Sequence, residues 1–140
     1  MTTTQELLEA LSAPGISIEL FFKEHEDDFL RCVPSDAWAL LIKKSMLLKA
    51  EIIKQSDFEP VYFYEIIGGK KNPSRDKLIR LLYGMRTSLD DCQLMLKVYG
   101  YSTLYPRVKR DSLFIHGLIN RVSLPEIQDL LLQKGEKPLK

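Results

Sequence analysis

The side chains in this chain that can do chemistry are mostly cations. Lys70, Lys71, Arg75, Lys77, Arg80 and Arg86 face Asp76 alone between positions 70 and 86, a net charge of +5. Such a run attracts phosphate oxygens, which position a protein without reading sequence. Lys70-Lys71-Asn72 reads as a phosphate-contacting loop as readily as a solvated one. Just before it, Tyr62, Phe63 and Tyr64 offer rings for stacking on bases. Successive helical residues point about 100° apart, so the trio divides between core and surface. Nucleophilic and metal chemistry find no pattern. His25 and His116 stand alone, and Cys32 and Cys92 form no CxxC pair, so neither metal-ligand spacing nor a marked nucleophile is present. Gly68-Gly69-Lys70-Lys71 lacks the long loop and the Ser/Thr of a phosphate-binding P-loop. These absences predict a protein that is not an enzyme and that needs neither metal nor cofactor.

Charge is distributed unevenly. The 140 residues carry a net +1, but residues 1–36 hold eight carboxylates against Lys23 and Arg31, a net −6, which leaves +7 for residues 37–140. An acidic head on a basic body implies separate partners for the two, a protein partner for the head among them, or one part screening the other. A dedicated DNA-coating protein is far more basic. At 45% hydrophobic and 28% charged residues, the chain has the apolar content of a globular core rather than of a disordered segment. The N-terminus lacks the basic start and apolar run of a signal peptide, and no stretch is long enough to span a bilayer. With two unpaired cysteines, this predicts a cytoplasmic protein with no membrane partner.

The elements that must position the cations are helices; strand periodicity is almost absent. Thr3 to Glu6 reads as a capping box opening a helix through Leu11. Ser17 starts a second, with Ile18, Phe21, Phe22, Phe29 and Leu30 apolar. Val33-Pro34 ends the acidic head. Further helices are expected from Ser35 or Asp36 to Ser45, from Lys49 to Gln55, from Pro60 to Ile67, from Ser74 and from Ser88. Gly68-Gly69 and Gly100 serve as stops. After the connector 101–107, helices Arg110–Asn120 and Leu124–Lys134 follow, then a frayed tail from Gly135. No internal repeat is evident. The organisation read from this pattern is an acidic helical extension (1–34), a central helical domain (35–100) and a helical extension packed on it (101–140).

Two short helices joined by a tight break, Lys49–Gln55 and Pro60–Ile67, form a helix-turn-helix pattern. Ala50 is the small residue expected where the two axes approach. Phe58 is expected to plug the turn, with Phe63, Ile66 and Ile67 facing inward. Trp38, Ile53, Leu78, Leu81 and Leu82 complete the expected core.

The series Lys49-Ala-Glu-Ile-Ile53, Phe58, Tyr62, Tyr64, Ile66-Ile67, Gly69-Lys70-Lys71 and Pro73-Ser74-Arg75-Asp76-Lys77-Leu78 resembles the bacterial XRE-type helix-turn-helix proteins, relatives of lambda repressor and Cro. The later run Gly100-Tyr101, Leu104-Tyr105-Pro106-Arg107, Arg110-Asp111 is similar to a subgroup with extra C-terminal helices. The resemblance covers roughly residues 35–130. It implies an all-α, lambda-repressor-like helix-turn-helix bundle, with acidic N-terminal helices and two extra C-terminal helices added. It also implies a DNA-binding transcriptional regulator acting as a homodimer on double-stranded DNA. The contact residues it implies are Lys49, Glu59, Val61, Tyr62, Tyr64, Lys70, Lys71, Asn72 and Arg75.

The positions implied to read bases are poor readers. Arg, Lys, Asn and Gln match base edges, whereas Pro60 has no donor, Val61 reaches only a thymine methyl, and Glu59 and Glu65 repel phosphate. Backbone attraction is therefore expected to exceed base reading. The alternative is a protein-interaction module that keeps the fold without sequence-specific DNA binding. Arg75 is expected to pair with Asp76 at the helix start rather than to meet DNA. Leu113, Phe114, Ile115, Leu118, Ile119, Leu124, Ile127, Leu130 and Leu131 are expected to furnish the dimer surface; the alternative is that both helices simply cover the helix-turn-helix core.

Overall fold

Serine and proline open most of the helices. In the computed structural model, which describes residues 3–12, 17–19 and 33–140, Ser74 Oγ accepts from Lys77 N at 3.2 Å, Ser88 Oγ from Asp91 N at 3.2 Å and Ser123 Oγ from Glu126 N at 3.3 Å. Each satisfies an N–H that the first helical turn leaves without a partner. Pro34 and Pro60 stand first in their helices, where a proline gives up no backbone hydrogen bond. Pro34 is itself the first residue of its helix, one position before the expected start at Ser35.

The chain divides into two units, Met1–Arg31 and Cys32–Lys140. Of the first, the described part is α1 (Thr4–Ser12) and residues 17–19. Thr3 and Glu6 form the expected capping box, Glu6 N to Thr3 Oγ1 at 3.1 Å and Thr3 N to Glu6 Oε2 at 3.4 Å. The apolar face expected at Phe21, Phe22, Phe29 and Leu30, together with His25 and Cys32, lies outside the described residues.

The second unit is α2 (Pro34–Ser45), α3 (Lys49–Ser56), α4 (Pro60–Ile67), α5 (Arg75–Gly84), α6 (Leu89–Val98), α7 (Lys109–Ile119) and α8 (Leu124–Gln133). The described residues are all-helical, with no strand. No helix among them is long and apolar enough to cross a membrane. Trp38, Phe63, Ile66, Leu78, Leu81 and Leu82 are fully buried in one core, and Phe58 is 7% exposed in the turn after α3. Asp57, at φ 56°, makes that turn tight.

Three expectations about packing need correction. Ala50 is exposed; the close approach is between α3 and α5, where a Cβ on Gly84 would lie 2.7 Å from Ser56 N and 2.8 Å from Ser56 Cα. Ile52, not Ile53, is fully buried, and Ile53 only packs against the core. The tail is tied down: Gln128 donates to Leu139 O at 2.9 Å and accepts from Leu139 N at 2.7 Å, and Leu139 is 5% exposed.

The fourth correction is larger, because the chain does contain a repeat. Residues 75–105 and 110–140 are two copies of one helical hairpin, 35 positions apart. α6 and α8 have matching bounds at that offset. Gln93 holds Leu104 N and O just as Gln128 holds Leu139. Arg75 donates to the carbonyls of Ser102 and Thr103, and Arg110 to those of Lys137 and Pro138.

The copies pack reciprocally: α5 meets α8 and α6 meets α7. Arg75 pairs with Asp111 at 3.1 Å, and Arg110 with Asp76 at 2.9 Å. Tyr105 N donates to Asp111, and Lys140 N to Asp76. Such an exchange, in which residue i meets j and the equivalent of j meets the equivalent of i, is the pattern of an isologous twofold interface. Here it lies within one chain.

Candidate nucleic-acid interface

α4 sets its inner face, Phe63 and Ile66, into the core and leaves Val61 71% and Tyr64 50% exposed. Glu59 is the N-cap of α4 and faces solvent. Lys49, first in α3, places Nζ 5.9 Å from the Tyr64 ring centroid. Lys49 and Tyr64 thus lie together on one side of the outward face of α4, and Val61 borders the groove on the other.

The other side of α4 borders an open groove of about 370 Å³ between the α3–α4 turn and α5. Tyr62 is half-buried there, tilted against Phe58 with ring centroids 5.8 Å apart. Lys77 Nζ sits 4.8 Å from the Tyr62 ring. Arg80 stacks on Phe58 at 4.2 Å and donates to Asp57 O at 3.2 Å. Burial draws the Arg80 pKa below its ordinary value, partly offset by Asp57. Lys71 Nζ lies 3.5 Å from Glu65 Oε2, so the charge that would repel phosphate at this edge is already matched.

Lys70, Lys71 and Asn72 are exposed in the loop after α4. Their backbone is held, since Lys70 N and Lys71 N both donate to Glu65 O, at 2.9 and 3.1 Å. Gly69, at φ 79°, makes this possible as the left-handed stop expected of it. The loop is anchored at its far end by Tyr101, whose hydroxyl donates to Pro73 O at 2.6 Å.

Arg75 is placed differently from its neighbours. It does not pair with Asp76, because adjacent residues on a helix do not face each other. Its guanidinium is occupied by Asp111 and by two carbonyls of the connector. Burial works against ionising Asp76, but the hydrogen bonds and charge of Arg110, with the Lys140 backbone hydrogen bond and the charge of Arg75, together more than offset it, and its carboxyl sits below the ordinary value. Arg110 is held above its ordinary value, first by its hydrogen bond to Asp76. The cluster at 107–111 is thus partly internal structure.

The sequence places Lys77 and Arg80 in the basic run, though not among the contacts the resemblance implies. Their signal was present: three positions apart on α5, in the basic stretch, they share a face with the groove. Among the described residues no three His, Cys, Asp or Glu side chains gather as a metal site. Cys92 is buried and unpaired, its thiol pushed up to about 12 by desolvation. No protein-family model, curated protein or solved structure matches the chain.

Proposed function

We propose that the chain is a cytoplasmic DNA-binding regulator of transcription, with a lambda-repressor-like helix-turn-helix of the XRE type, gripping duplex DNA as a homodimer. It is a binding protein rather than an enzyme. The observation that carries this reading is the α3–turn–α4 pair. Its second helix is anchored by Phe63 and Ile66, presents Val61 and Tyr64 outward, and leads into an exposed Lys70-Lys71-Asn72 loop. A helix presented this way, followed by a rigidly held basic loop, fits a major groove and its flanking phosphates. Lys49, Lys77 and the Tyr62 hydroxyl extend the phosphate contacts. Arg75 supports the loop from behind.

Duplex binding followed by fluorescence anisotropy across a salt series tests it. Lys70→Glu with Lys71→Glu weakens all sequences alike and lowers the salt slope by about 2, from roughly 0.9 per lost phosphate contact. Absence of binding at ~50 mM salt, where basic DNA binders register, refutes it.

One observation favours a second reading. Val61 and Tyr64 are the exposed tips of α4, flanked by Glu59, and none of these is a strong donor to base edges. An exposed tyrosine beside an exposed apolar residue suits a protein partner. Tyr64→Ala leaves DNA affinity unchanged and abolishes partner binding under this reading.

A further inference from the structure

The two copies of the hairpin bring one pair of cations together for which neither the fold nor the DNA interface has a use. Arg86 follows the last turn of α5 and Arg121 the last turn of α7, 35 positions later. Both lie in the left-handed region, at φ 53° and 54°. The equivalent position after α4, α6 and α8 is Gly69, Gly100 and Gly135. Glycine takes that conformation without the clash that burdens every L side chain. Arginine stands at both places where glycine would hold the backbone more easily, so the backbone is not the reason for it.

Neither guanidinium has a hydrogen bond, an ion pair or a ring contact among the described residues. Both line one depression, whose other walls are the equivalent pairs Tyr83 and Leu118, Thr87 and Val122. The depression therefore sits on the pseudo-twofold axis. It adjoins a cleft of about 320 Å³ with Leu41, Leu47 and Met85 among its walls, which Arg86 and Arg121 also line. Lys44 is there too, but Asp91 holds it at 2.8 Å, and the Ser88 hydroxyl caps α6. What remains unmatched is the two arginines, like charges drawn to the same opening.

We propose that this cleft binds a small dianion, a molecule bearing a phosphate or a pair of carboxylates, gripped between Arg86 and Arg121. The guanidinium fork matches both groups with two parallel hydrogen bonds. The cleft has the size of a small-molecule pocket, not of a macromolecular surface. Its walls come from the α2–α3, α5–α6 and α7–α8 turns, so a ligand there joins the central helices to the second copy of the hairpin. The site does not depend on the DNA reading.

The test uses the full chain with inorganic phosphate against chloride at matched ionic strength, by thermal denaturation and calorimetry. Phosphate is expected to raise the Tm beyond chloride. Arg86→Gly and Arg121→Gly each weaken binding at least tenfold, and together abolish it. Glycine suits both backbones, so the double variant is expected to melt in chloride no lower than the parent. Should it fail to fold, Arg86→Gln and Arg121→Gln make the same comparison. Succinate competing for the site assigns carboxylates to the ligand class, and its failure to compete restricts the class to phosphates. Equal responses of the parent to phosphate and chloride overturn the proposal, as does an undiminished phosphate response in the double variant. Loss of duplex affinity in the double variant without any phosphate binding in the parent also overturns it, making the arginines DNA-backbone contacts.

Discussion

Replacing Arg110 by alanine removes four hydrogen bonds at once: two to Asp76, both 2.9 Å, and those to the carbonyls of Lys137 and Pro138. It also leaves the Asp76 carboxylate without its counter-charge. An exposed ion pair contributes about 0–1 kcal/mol, and breaking a fully buried one costs about 3–5 kcal/mol. The two side chains are 20% and 25% exposed, which places this pair between those limits, at about 2 kcal/mol after screening. For a domain of this size that corresponds to a fall in Tm of about 8 °C. The pH dependence identifies the cause. Asp76 is depressed in the folded state, so its contribution is present above the unfolded aspartate pKa of about 3.9 and is lost as pH falls through the folded value. Melts followed by circular dichroism between pH 2 and pH 7 are expected to show the stability gap between parent and variant closing on the acid side. A loss below about 0.5 kcal/mol at neutral pH, or a gap that persists undiminished at pH 2, refutes the reasoning.

Gly84→Ala drives a Cβ into Ser56 backbone and side chain, so separating α3 from α5 is expected to cost about 1–3 kcal/mol in denaturant titrations. Phe58→Ala empties the 7%-exposed plug of the α3–α4 turn and is expected to cost about 3–5 kcal/mol, with a loss under about 1 kcal/mol excluding the plug role. Cys92, buried with its thiol raised to about 12, is expected to resist a thiol-reactive disulfide reagent at pH 8 until the protein unfolds.

What was legible in the sequence was local. Ser74, Ser88 and Ser123 announced helix starts, and Gly69 and Gly100 announced stops, because caps are decided within four residues. Trp38, Phe63 and Leu81 declared themselves as core through their spacing. What stayed illegible depended on partners far along the chain. Nothing near Arg75 says that Asp111 is closer in space than Asp76, or that Ser56 and Gly84 make the tight crossing. The candidate interface divided the same way. Lys70, Lys71 and Val61 stand exposed as read, whereas Arg75 is occupied from behind and Lys77 and Arg80 border the groove.

The repeat is faint in the sequence because most of its paired positions differ. Arg75 and Arg110, Asp76 and Asp111, Ser88 and Ser123, Gln93 and Gln128, Gly100 and Gly135 agree, as do Leu78 and Leu113, Leu89 and Leu124, Leu96 and Leu131, Leu104 and Leu139, while other core positions differ, as Cys92 and Ile127. Cores accept such swaps when total volume is kept; a bidentate clamp does not. The duplication also bears on self-association. Phe114, Leu118, Ile127 and Leu131, expected to face a second chain, are buried within this one, because the first copy already occupies the reciprocal surface. A twofold dimer built through the C-terminal helices must therefore use what the internal pairing leaves outside, Ile119 at 63% and Leu132 at 62% exposure. Aspartate at both positions is then expected to yield monomers in sedimentation with the melting temperature unchanged. A dimer that survives both charges has its interface elsewhere on the chain.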